Sequence, residues 1–232
     1  MSGLDDPVIS IRGVGPKTAA ILGRRGIETL GDAIHFYPRR YEDRRPAASI
    51  YGATPGEPTA VVGKVKFAGE RRPRGGRRRF EVVIDDGSSI LAGIWFNYRP
   101  VPLKARFKKG DEVFLYGRLE LFGDGRVMVH PDAETAVEAG DRSIHFGRIV
   151  PVYSEPEGLA QRTLRRIMAE VVKRCRGLVI DPLPETIRDR LDLVPLDIAL
   201  EEVHFPSDTV SPDDLNDRSS PVHKRLIFDE LF

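Results

Sequence analysis

The stretch RRPRGGRRRF places six arginines, Arg71, Arg72, Arg74, Arg77, Arg78 and Arg79, within nine positions. Guanidinium forks match phosphate oxygens, and each neutralised phosphate releases counterions, so such a run suits a polyanion. A second stretch, IWFNYRP, carries the single tryptophan, Trp95, with Phe96, Tyr98 and Arg99. An exposed ring stacks on an unpaired base of any identity, for ~1–3 kcal/mol per base. The rival reading is packing, with Trp95 under a flanking helix and Phe96 closing the end of a barrel. Alternation puts Ile94 and Phe96 on one side of their strand and Trp95 on the other, and Tyr98 and Arg99 are expected to leave the strand exposed. A third basic stretch, PLKARFKKG, adds Lys104, Arg106, Lys108 and Lys109 as phosphate contacts. Near the start, GVGPKTA reads as the turn of a helix-hairpin-helix, where backbone amides and Lys17 approach a phosphate. Its alternative is a plain packing turn. It is no nucleotide-binding P-loop, because Pro16 stands where that motif requires glycine.

Charge distribution supports the same region. The net charge of +1 over 232 residues divides into +1 for residues 1–60, +7 for 61–130 and −7 for 131–232. The middle is the candidate for binding nucleic acid and the acidic last third is not. Enzyme chemistry finds little support. The five histidines are scattered without metal-ligand spacing, no G-x-S-x-G occurs, and Cys175 reads as a half-buried helix cysteine. A lone cysteine and the lack of an apolar run near ~20 residues point to an intracellular chain that does not enter a membrane.

The elements that must position these residues follow from periodicity. Residues 9–34 read as short helices, with Pro16 opening one, Gly26 ending it and Thr29 capping the next. Residues 37–46 and 143–157 read as connectors. Between 59 and 131 the period becomes 2: Phe80, Val82 and Ile84 share one face, and Ile90, Ala92, Ile94 and Phe96 share another. DDGS (85–88) and GDG (123–125) are hairpin turns. Three strands, a short helix and two strands is the order of the OB-fold, a five-stranded barrel that binds oligonucleotides, although SH3-like barrels share a similar strand count. Beyond it, Leu159, Leu164, Ile167, Met168, Val171 and Val172 make an amphipathic stripe, followed by three more short helices. The expected class is α+β: a helical head (1–50), an OB barrel (51–140) and a helical linker (141–232).

The segment order resembles that of the RecG family of bacterial branched-DNA helicases. IRGVGPKTAAILGRRGIETLGDAIHFYPRRYEDR is similar to that family's start and IWFNYRPVPLKARFKKGDEVFLYGRLE to its barrel. GRIVPVYSEPEGLAQRTLRRIM, ALEEVHFP and HKRLIFDELF are similar to the segments leading toward its motor. The resemblance implies a wedge domain at a DNA branch point, with Phe96 stacking on a junction base. The family's second aromatic falls at Pro100 here, so Tyr98 is the candidate substitute. ATP and magnesium belong to the family's motor; its P-loop and DExH-type box do not occur before Phe232, so no cofactor is expected in this chain.

The expected function is structure-specific binding of branched DNA, replication forks and Holliday junctions, by a cytoplasmic, nucleoid-associated monomer without ATPase activity of its own. Its partners would be branched or single-stranded DNA and helicase motor domains in cis or in trans. The alternatives are a general single-stranded DNA or RNA module and a protein-interaction adaptor.

Overall fold

The computed structural model describes residues 3–73, 76–123, 125–140 and 143–231, apart from the side chains of 100–102. Arg74, expected to contact phosphate, lies outside them. In chain order the elements are α1 (Pro16–Gly23), α2 (Leu30–Ile34), β1 (Arg40–Asp43), β2 (Pro58–Arg71), β3 (Arg79–Asp85), β4 (Ile90–Trp95), α3 (Pro100–Arg106), β5 (Glu112–Phe122), β6 (Gly125–Val129), β7 (Asp132–Thr135), α4 (Ala136–Ala139), β8 (Ile149–Val152), α5 (Gln161–Cys175), α6 (Glu185–Leu191), α7 (Leu196–His204), α8 (Pro212–Asn216) and α9 (Pro221–Leu231). The chain divides into two units, one of Met1–Glu42 with Arg148–Phe232, the other of Asp43–Gly147.

In the first unit, head and tail share one core, so the sequence division into 1–50 and 141–232 does not correspond to separate bodies. Leu22, Leu30 and Ile34 of the head are buried with Leu164, Val171 and Leu200 of the tail. Pro16 opens α1, and Thr29 caps α2 in a reciprocal box with Asp32. The stripe on α5 is buried from Leu164 to Val172. The two expected connectors instead contain β1 and β8, which pair with each other, and all four residues of β8 are buried. Here Tyr41 donates its hydroxyl to the Val203 carbonyl at 2.7 Å. His204 is fully buried, with Nε2 at 2.8 Å from the Ile34 carbonyl and Nδ1 at 3.0 Å from the Tyr153 hydroxyl. Cys175 is buried in this core, and burial pushes its thiol pKa up.

The second unit is the barrel. Its strands run β2-β3-β4-β6-β5, and β5 closes back on β2, with β4 and β6 parallel and the other pairs antiparallel. A sixth strand, β7, lies beside β5. It continues along the edge of β5 that β6 occupies: β6 pairs with Leu119–Phe122 and β7 with Val113–Tyr116. The break falls at His130 and Pro131. His130 is left-handed (φ 51°), and proline has no N–H to offer a ladder. Phe80, Val82, Ile84, Leu91, Leu115, Leu119 and Met128 fill the interior. Burial of such side chains stabilises by about 1.5–3 kcal/mol each, before conformational entropy is set against it. Ile50 and Ala53, ahead of β2, join the same interior.

Candidate nucleic-acid interface

β3 holds the phase read from the sequence, since Phe80, Val82 and Ile84 all point inward. Its register with β4 pairs Phe80 with Trp95, Val82 with Gly93 and Ile84 with Leu91. The inward face of β4 is therefore Leu91, Gly93 and Trp95, and the face shared by Ile90, Ala92 and Ile94 is the outer one. Trp95 stacks on Phe107, with centroids 6.0 Å apart and planes at 22°. Gly93 makes room for it: a Cβ there would lie 3.0 Å from Trp95 Cη2 and 3.2 Å from Leu115 Cδ1. One face of the indole is thus occupied, as the packing alternative had it.

Phe96 follows with the opposite orientation. It is half-buried, belongs to neither core, and leans on the His130 ring at 5.8 Å. His130 in turn donates its backbone N–H to the Ile94 carbonyl at 2.7 Å. Asn97 takes a left-handed conformation (φ 51°), one that asparagine tolerates better than most residues. The turn sends Tyr98 back inward, which corrects the expectation of an exposed ring. Tyr98 packs against Phe80, centroids 5.6 Å apart, and its buried hydroxyl lies near the Arg78 guanidinium without a hydrogen bond of ordinary geometry. Arg99 is exposed, as expected.

The arginine arm joins β2 to β3 at the same end of the barrel as Phe96, because Arg71 pairs with Arg79 and Phe80 with Trp95. It is not free of acidic partners. Arg78 binds Glu70 through Nε at 3.0 Å and through Nη2, and Glu70 raises its pKa. Glu81 takes Arg79 at 3.0 Å and lies 3.6 Å from Arg71. Arg71 also sits over the Phe67 ring at 4.6 Å. Arg71, Arg72, Pro73 and Arg79 line an open concavity of about 480 Å³. Arg72 and Arg77 are exposed, with no ion-pair partner among the described residues.

Of the other basic candidates, Lys104, Lys108 and Lys109 are exposed around α3 and the turn that follows it. Arg106 is engaged instead: Nε binds Glu138 at 2.7 Å, and Nη2 reaches Glu138 and the Ala133 carbonyl. Arg106, expected as a phosphate contact, thus already has an acidic partner. Lys17 is exposed in the first turn of α1, in the other unit. The participants overlooked in the sequence are Glu70, Glu81, Asn97 and His130. Glu81 carried a signal, since it is two residues from Arg79 and so on the same strand face. His130 carried none, because only the pairing of β4 with β6 brings it to Phe96.

Comparison with known proteins bears on this geometry. The family model described as the RecG wedge domain matches residues 7–175. The chain belongs to the RecG wedge domain family. It is 29% identical over 238 residues to the ATP-dependent DNA helicase RecG of Aquifex aeolicus, covering 98% of this chain and 29% of that protein. It is 30% identical over 227 residues to RecG of Escherichia coli K12, covering 97% of this chain and 32% of the relative. The chain therefore spans about three-tenths of the length of the RecG proteins it matches. A solved structure of RecG bound to a three-way DNA junction covers all of this chain at a TM-score of 0.79 and 28% identity, with 30% of that chain covered. This RecG wedge chain thus shares its fold with a RecG solved on a three-way DNA junction. No helix among its described residues is long and apolar enough to cross a membrane.

Proposed function

We propose that the barrel binds branched DNA at the point where its strands separate, with Phe96 stacking on a base at the opened end. The observation that carries this reading is the pairing of a ring outside both cores with an arginine arm at one barrel end. Arg72, Arg77, Arg99, Lys104, Lys108 and Lys109 supply exposed cations for flanking phosphates. Trp95 and Tyr98 serve mainly to hold the turn that presents Phe96, because each packs on an interior ring. Lys17 is a further phosphate contact from the helical unit.

Replication forks and Holliday junctions, acted on in recombination and repair, are the substrates this reading assigns. ATP-driven unwinding would come from helicase motor domains, in cis or in trans, and the site of action is the bacterial cytoplasm at the nucleoid. A binding competition tests the core of the proposal. The chain should prefer a three-way fork to linear single strand and linear duplex of equal length. Equal affinity for fork and single strand would instead identify a general single-strand binder.

A further inference from the structure

Arg71 and Arg79 stand directly opposite each other in the β2–β3 ladder. Like charges at opposed positions destabilise a sheet, and two guanidinium groups in register need a reason to persist. Glu81 lies on the same face, paired with Gly69 on one side and Ile94 on the other. Its side chain is 9% exposed, against 53% for Arg71 and 28% for Arg79. The carboxylate uses Oε2 for Arg79 and turns Oε1 toward Arg71. One negative charge thus sits between two positive ones, and the cluster keeps a net +1.

The donors are only partly used. Arg79 gives Glu81 its Nε at 3.1 Å and its Nη2 at 3.0 Å. Arg71 approaches Glu81 through Nε at 3.6 Å, too long for a hydrogen bond, and its guanidinium makes no hydrogen bond among the described residues. Phe67 beneath Arg71 restrains the guanidinium by a cation–π contact. These two arginines line the concavity with Arg72 and Pro73. Arg79 and Phe96 are the residues next to the Phe80–Trp95 pair, at the end of the β3–β4 ladder.

We propose that Glu81 is a positioning residue that holds Arg71 and Arg79 as a seat for a single DNA backbone phosphate beside the Phe96 ring. The proposal rests on the stacking interface above and deepens it. Arm arginines then fall into two kinds. Arg71 and Arg79 are anchored and read where a phosphate is, while Arg72 and Arg77 supply charge that any DNA satisfies.

The test is fork binding by fluorescence anisotropy, with phosphates around the branch point replaced one at a time by neutral methylphosphonates. Wild-type protein should lose about ten-fold in affinity at one or two adjacent positions, the scale of one charge-assisted contact, and little elsewhere. Glu81→Gln should bind the unmodified fork about ten-fold more weakly, show no further loss at those positions, and bind linear duplex unchanged. Unchanged or tighter fork binding by Glu81→Gln would make the carboxylate a competitor of DNA and overturn the proposal. A flat methylphosphonate profile for wild type would overturn it even if the variant failed to fold. Phe96→Ala separates the two levels. If it weakens fork binding while the profile is flat, the interface stands and the seat is wrong. If neither Phe96→Ala nor arm neutralisation affects fork binding, both are wrong.

Discussion

The ring of Phe96 rests on the ring of His130, centroids 5.8 Å apart, at the place where the last barrel strand breaks. The contact supports one side of Phe96 without drawing it into the interior. Phe96→Ala should therefore weaken fork binding by ~1–3 kcal/mol and leave duplex binding nearly unchanged. Its midpoint of chemical denaturation should stay close to wild type. Equal losses on both DNA substrates would contradict stacking.

Trp95→Ala, unlike Phe96→Ala, should destabilise the barrel. The indole stacks on Phe107 and covers Gly93, so its removal leaves a cavity and should cost about 3 kcal/mol of barrel stability. Urea unfolding is the measurement, and a stability loss under ~0.5 kcal/mol, the range of an ordinary surface substitution, would show that the ring does not pack as described.

Gly93→Ala probes the same packing from below. Trp95, Leu115 and Pro131 side-chain atoms all come within 3.0–3.2 Å of the added methyl. Overpacking of this kind costs about 1–3 kcal/mol. Because Trp95 must shift, fork binding should fall together with the denaturation midpoint.

Neutralising Arg72 and Arg77 together should flatten the plot of log affinity against log salt by roughly 2 units, since each phosphate contact contributes a slope of about 0.9. Thermal stability should hardly change, as neither residue has an ion-pair partner among the described residues. An unchanged slope would place the arm away from the phosphates.

The helical unit should lose stability in mild acid. Burial holds the His204 pKa down at about 4, against about 6.5 for a free imidazole. Above pH 6.5 the folded and unfolded states are both neutral. As pH falls from 6.5 toward 4 only the unfolded state takes the proton, so stability declines, by about 3 kcal/mol in all. His223, also lowered by burial, acts in the same direction. Denaturation midpoints measured between pH 7 and pH 4 check the sign; a unit that is as stable at pH 4 as at pH 7 would refute it.

Several of these relationships are legible in the sequence alone. Pro16, Thr29 and the alternation of Phe80, Val82 and Ile84 act locally, so the chain itself announces them. The third barrel strand was harder, because Leu91, Gly93 and Trp95 are no less plausible inside than Ile90, Ala92 and Ile94. Only the register with Phe80 decides between the faces, and Gly93, which looks like a strand breaker, turns out to be the space for an indole. The left-handed Asn97 redirects Tyr98, something a period-2 reading cannot foresee. The shared core of head and tail brings Ile34 to His204 across 170 positions, and no local pattern encodes it.

One feature of the barrel's ends matters for engineering. The carbonyl of Arg44 accepts the amide of Gly147 at 3.0 Å, so the polypeptide enters and leaves the β-structure through neighbouring points. A segment whose termini already touch can be excised, cyclised or transplanted into an unrelated host loop with little added strain. A portable cassette cut at those two residues should keep its shape, and could carry its aromatic tip to a scaffold of the experimenter's choosing.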